Sequence, residues 1–152
     1  MPTDLKILEY DQSNYKMGTL CRFCAEECDN KEAFKLGKKM ITLMEEAKGI
    51  GLAANQVGHL IQLIVVMVKG KPTIFYKPTI LSFGPEYDIV EEGCLSLPGI
   101  KREIKRPTLV KFSAIINKNG KRKEFTLRGL EARCLLHEVE HLQGITILDE
   151  RK

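Results

Sequence analysis

The chain has 152 residues, the size of one ordinary domain. Its 43% apolar residues suffice for a core and its 29% charged residues suit a solvated surface, which excludes a disordered or collagen-like chain. Net charge is +4, from 24 basic and 20 acidic residues, a mild excess spread along the whole length.

The densest basic runs, 101–106 (KREIKR) and 118–123 (KNGKRK), have no aromatic run beside them to stack bases. They read as solvated faces or a hairpin, and no direct nucleic-acid partner is expected. The longest uncharged apolar run, 60–68, is nine residues, whereas a bilayer span needs about twenty, so no membrane partner is expected. Asp4, Glu9 and Asp11 sit where an export signal needs a basic start and an apolar stretch. Five cysteines, an odd number, then point to free thiols in a reducing compartment, and the expected location is the cytoplasm.

No repeat or linker interrupts the chain, which reads as one domain over 1–152. Residues 1–28 are the least legible. Asp29-x-x-Glu32 reads as a capping box opening a helix over 30–48. In that helix Phe34, Gly37, Ile41 and Met44 share a face, with Met40 and Ala47 beside it, and Gly49 supplies the positive φ that ends it. The β-branched run 60–68 reads as a buried strand stopped by Gly70 and Pro72. Strand pieces follow near 73–76, 79–83 and 87–91. Residues 109–116 and 123–127 flank Asn117-Lys-Asn-Gly120, a hairpin turn. A last helix covers 130–143 and closes at Gly144. Strands do not alternate regularly with helices, so the fold class is α+β.

The sharpest chemical feature is His137-Glu-Val-Glu-His141 in that last helix. Residues four apart lie one turn apart on the same face, so two imidazoles can grip one metal ion with Glu138 beside them. Such an ion makes bound water acidic, and the glutamate takes the proton. Leu135, Val139 and Leu142 supply an apolar face, which argues against a wholly solvated helix. A catalytic ion needs a third protein ligand. Few residues follow His141, and Asp149 and Glu150 are poor candidates, so the third ligand is expected upstream. Cys94, in Glu91-Glu-Gly-Cys-Leu-Ser-Leu-Pro98, is the best candidate, although alone it would be an ordinary small core residue. The segment Gly49-Ile-Gly-Leu-Ala-Ala-Asn-Gln56 alone reads as a compact helix-to-strand turn. Gln56 stands out because its amide can donate to a developing oxyanion. Cys21, Cys24 and Cys28 read as packing residues, and His59 as a surface or half-buried histidine.

Together, GIGLAANQ (49–56), EGCLS (92–96) and HEVEH (137–141), in this order and spacing, resemble peptide deformylase over roughly residues 30–147. The resemblance implies a deformylase-like α+β fold, with antiparallel or mixed sheets packed around a C-terminal helix that carries the His-Glu-x-x-His motif. It implies Cys94, His137 and His141 as ligands of one divalent ion, Fe²⁺ physiologically, with Ni²⁺, Co²⁺ or Zn²⁺ also accepted. Glu138 would be the general base and then acid, and Gln56 with the Leu95 amide would hold the oxyanion. The substrate would be the N-formylmethionyl end of a peptide or nascent chain, added as a strand along Ile50, Gly51 and Gly93. Its side chain would enter a pocket formed partly by Leu130, Cys134 and His137, and the products would be formate and a free amino terminus. A monomer is expected.

The departures from the family pattern are Glu140 where Asp is usual, Leu136 where Gln is common, an unusual N-terminus and no long C-terminal helix. That last feature does not support ribosome docking by the C-terminal helix. Three rival readings remain at this level: a zinc endopeptidase, a non-catalytic binder of peptide N-termini on the same scaffold, and a structural metal domain.

Overall fold

The structure, a computed structural model, describes residues 5–150, so Asp4 of the N-terminal reading lies outside the described residues. Helix α1, Asn30–Glu46, starts where the Asp29 carboxylate accepts the Glu32 N–H at 2.8 Å. It buries Ala33, Phe34, Gly37, Met40 and Met44, whereas Ala47 is exposed. Its end differs from the sequence expectation. Lys48 N–H donates to Glu45 O at 3.0 Å and Gly49 N–H to Met44 O at 2.9 Å, the two bonds of a Schellman cap. The left-handed residue of that cap is Lys48, at φ 57, and not Gly49. Gly49 lies against Leu95 instead: a Cβ there would be 2.7 Å from Leu95 Cδ1, so that side chain would have to turn aside.

Five strands form one antiparallel sheet in the order β1-β2-β3-β6-β7: β1 Gly51–Ala53, β2 Leu63–Val68, β3 Lys71–Phe83, β6 Leu109–Ile115 and β7 Arg122–Arg128. A second sheet pairs β4, Tyr87–Cys94, with β5, Leu97–Pro107, also antiparallel. Helix α2, Gly129–Leu142, follows β7 directly.

The apolar run beginning at residue 60 is explained by burial on both faces. Ile64 and Val66 of β2 join the cluster around Leu135, Leu136 and Leu142 of α2, while Leu63 and Val65 join the cluster around Met40 and Met44 of α1. The large sheet therefore lies between the two helices. The strand itself begins at Leu63, and Leu60 and Ile61 are buried ahead of it. Lys69 and Gly70, both at positive φ, turn β2 into β3. The pieces expected at 73–76 and 79–83 are one strand, bent where the register slips between Tyr76 and Thr79 and Lys77 takes φ 52. The hairpin at 117–120 forms as expected, with Ile115 opposite Arg122.

The N-terminal segment belongs to the fold although its sequence says little. Leu8 N–H donates to Gln56 O at 2.8 Å, Tyr10 N–H to Ser96 O at 2.7 Å, and Cys24 N–H to Leu142 O at 2.9 Å. Tyr15 and Leu20 pack with Leu97, Ile104 and Ile147 in a third apolar cluster. Burial pushes the Cys24 thiol up to about 12 and the Cys21 thiol up to about 11, as expected of packing residues. His59 is exposed.

Candidate metal centre and active-site cleft

α2 carries His137 and His141 on one face, and the β4–β5 sheet brings Cys94 to them. Cys94 Sγ lies 3.4 Å from His141 Nε2, which lies 3.0 Å from His137 Nε2, and the three donor atoms are within 4.8 Å of one another. Among the described residues this is the one group of three or more His, Cys, Asp or Glu side chains so arranged. The set fits a divalent ion. A tetrahedral ion with ordinary Zn–N and Zn–S bonds would hold its nitrogens about 3.3 Å apart, and sulfur and nitrogen about 3.6 Å apart. Both rings also have the correct nitrogen facing inward. His137 Nδ1 is 2.9 Å from Glu92 Oε1 and His141 Nδ1 is 3.0 Å from Ile145 O. Each Nδ1–H is thus donated outward, and each Nε2 keeps its lone pair for the ion.

Glu138 stands beside this set, buried, and its Oε1 has no hydrogen-bond partner. Burial pushes its carboxyl up to about 7. A Cβ on Gly51 would lie 2.6 Å from Glu138 Oε2 and 2.6 Å from Cys134 Sγ, so glycine is required for β1 to pass this close. Gln56 is buried. Its Oε1 accepts the Ala53 N–H at 2.9 Å, while Nε2 donates to Ser96 Oγ at 3.1 Å and lies 3.7 Å from Cys94 Sγ. The amide is therefore fixed with its donor end toward the Cys94 side.

A cleft of about 440 Å³ opens over these groups, lined by Gln56, Leu95, Glu138 and His137 at its base. Its two banks are strand edges. Ile50 O accepts from Met67 N at 2.9 Å, so by strand alternation Gly51 turns its own N–H and C=O away from β2, toward the cleft. Gly93 of β4 lies on the other bank. Ile50, Val90 and Leu130 line the cleft with 47%, 41% and 65% exposure, an apolar surface open to a ligand. Cys134 closes one side, its thiol donating to Ile50 O at 3.2 Å and pushed up by burial, so it presents a neutral sulfur. A larger hollow of about 760 Å³ beside α1, near Leu8 and Leu36, contains none of these groups.

All eleven residues singled out in the sequence therefore meet at this place, ten along the cleft and His141 buried beneath it. Sequence reasoning missed the groups that hold them. The buried Glu92 carboxylate accepts from Arg106 Nε at 2.6 Å, Arg106 Nη2 at 2.9 Å and Arg133 Nη1 at 2.5 Å, besides His137. Burial alone would raise this carboxyl, but the His137 and Arg106 contacts outweigh it and hold it well below the ordinary range. Arg133 is anchored further by Asp88 Oδ1 at 2.6 Å and Ile104 O at 2.8 Å. Glu140 meets Arg106 Nη1 at 3.0 Å, so the departure from the family's usual Asp falls in this supporting layer. Asn55 was also missed. It is fully buried and donates to Leu20 O at 3.2 Å and to His141 O, tying the N-terminal segment to α2. The adjacent pair Glu91-Glu92, one exposed and one buried beside two distant arginines, carries no pattern a sequence reader could use.

Comparison with known proteins agrees with this geometry. The polypeptide deformylase family model matches residues 5–152. A peptide deformylase of Prochlorococcus marinus (strain NATL2A) is 40% identical over 121 residues, covering 76% of this chain and 59% of that protein. One of Psychrobacter arcticus is 42% identical over 113 residues, covering 72% and 61%. The chain thus spans about three fifths of the length of these curated relatives. The crystal structure of peptide deformylase from Thermotoga maritima superposes with a TM-score of 0.87 at 32% identity, covering 99% of both chains. That of a probable peptide deformylase from Synechococcus phage S-SSM7 gives 0.83 at 36% identity, covering 96% of this chain and 99% of the other. Family match, relatives and fold all lead to one conclusion: the chain belongs to the polypeptide deformylase family.

Proposed function

We propose that this protein removes the formyl group from the N-formylmethionyl ends of peptides and nascent chains, releasing formate. The observation that carries the reading is the meeting of Cys94, His137 and His141 beside an unpartnered buried carboxylate, Glu138, at the base of a cleft with a free strand edge. Cys94, His137 and His141 would hold one divalent ion, with Fe²⁺ as the resident metal; thiolate plus imidazole also accepts Ni²⁺, Co²⁺ or Zn²⁺. When bound, the ion supplies Lewis acidity, lowering the pKa of water and polarising the formyl oxygen.

The protein's own groups do the rest. The substrate backbone lies along Ile50 and Gly51 on one bank and Gly93 on the other, as an added strand. Leu130, Cys134 and the His137 ring receive the first side chain, and an unbranched thioether suits such an apolar slot. Gln56 Nε2 and the Leu95 amide donate to the developing oxyanion. Glu138 takes the proton from the attacking water and hands it to the departing nitrogen, and its unpartnered Oε1 is free to carry it. The fold acts as one monomeric domain.

The test is anaerobic reconstitution with each metal, followed by formate measurement on a formylmethionyl tripeptide and proteolysis assays on an unformylated protein. Formate release without internal cleavage is expected. Cleavage of the unformylated protein would favour an endopeptidase, and binding of the tripeptide without formate would leave a non-catalytic binder.

A further inference from the structure

Two lysines face this cleft without partners. Lys101 stands on β5 across from Gly93, with its Nζ 2.7 Å from where a Gly93 Cβ would be, so the ammonium lies over the substrate-facing bank one residue from Cys94. Lys48 lines the opposite bank at the end of α1. Among the described residues neither makes an ion pair or side-chain hydrogen bond, and both are exposed. The carboxylates nearby leave them uncompensated: Glu92 is taken by Arg106, Arg133 and His137, Glu138 is buried at the base, and the exposed Glu91 pairs with neither lysine. Lys48 also occupies the left-handed cap position that glycine fills at least cost, so a side chain is present there despite the backbone's preference.

We propose that Lys48 and Lys101 make the cleft favour formylated peptides with an acidic side chain in the two residues after the formylated one; this rests on the deformylase reading. The register supports it. Gly51 abuts Glu138, so the reacting end of a bound strand lies there. A strand added along Ile50 leaves that point past Gly49 and Lys48, which line the same bank of the cleft, so the second and third residues of an extended peptide pass Lys48. On the other bank Lys101 overhangs Gly93, so the residues that follow the reacting end pass between the two ammonium groups.

The test uses metal-reconstituted protein and formylmethionyl tripeptide amides carrying glutamate, glutamine or lysine at the second or third position. Amides remove the competing terminal carboxylate. At low salt, kcat/KM for the glutamate peptides should exceed that of the glutamine peptides about fivefold, within the range of two exposed ion pairs, with lysine peptides poorest. The ratio should shrink at about 0.5 M salt, where screening is strong. Lys101→Gln and Lys48→Gly should each reduce it; the glycine suits its backbone and so leaves the fold intact. A ratio near one in the parent, or an unchanged ratio in both variants, overturns the proposal. If no peptide releases formate, the deformylase reading fails. Equilibrium binding of the same peptides then decides the charge preference, with about fivefold tighter Kd expected for glutamate and equal Kd values refuting it.

Discussion

Glu92→Gln probes the layer beneath the metal set. The substitution keeps shape and volume but turns one carboxylate oxygen into an NH₂ donor. Oε2 serves Arg106 Nε and Arg133 Nη1, while Oε1 serves Arg106 Nη2 and His137 Nδ1. Whichever oxygen is replaced, two buried donors each lose an acceptor, and two guanidinium groups that are 3% and 5% exposed lose the anion they share, keeping only Glu140 and Asp88 at their outer ends. Removing one partner of such a buried ionic group costs about 3–5 kcal/mol. For a domain of this size that is a fall in Tm of roughly 6–20 °C. With the NH₂ in place of Oε1 the His137 ring also loses the acceptor that fixes its tautomer, and loss of such a partner weakens metal binding about 10–100-fold. Thermal unfolding of metal-free and reconstituted protein, with metal titration below the unfolding range, reads both effects. A Tm within about 2 °C of the parent together with undiminished metal affinity would refute the argument that Glu92 holds this site.

Other expectations follow from the same geometry. Gly51→Ala forces Cβ against Cys134 Sγ and Glu138 Oε2; turnover should fall at least about tenfold and stability by about 1–3 kcal/mol, measured by formate release and urea unfolding. Glu138→Ala should retain the metal by elemental analysis yet lose about 10²–10⁴-fold in kcat, since the proton carrier goes while the ligands remain. At the ends of α1, Asp29→Ala removes the carboxylate that caps Glu32 N–H and should cost about 1 kcal/mol in urea unfolding, whereas Lys48→Gly relieves the left-handed backbone and should raise Tm by a few degrees.

Much of the scaffold was legible because its signals are local. The Asp29 cap, the Asn117–Gly120 turn and the 3.6-residue periodicity of α2 act within a few residues of chain, and each appears where expected. The cluster of Cys94, His137 and His141 was legible because two of its members are four residues apart on one helix and the third sits in a distinctive segment. What escaped depends on distant chain. Strand β5 reads as a charged run because its outward side chains are Lys, Arg and Glu; only Ile104 and the ion-paired Arg106 among 101–106 are buried. β1 has three residues, too few for any alternation. Glu92, Arg106 and Arg133 look like surface charges until the fold makes them neighbours. The N-terminal segment joins the fold through backbone bonds to Gln56, Ser96 and Leu142 and through scattered buried side chains such as Tyr15 and Leu20, which follow no helical or strand period. The positive φ at Lys48 escaped because glycine stood next to it and was the natural candidate.

X-ray absorption at the metal edge of the reconstituted protein tests the account at its centre. One sulfur at about 2.3 Å and two imidazole nitrogens at about 2.0–2.1 Å should surround a single ion, with the remaining scatter from light atoms. A first shell without sulfur, or with more than one, would contradict the assignment of Cys94, His137 and His141 and the hydrolysis built on it.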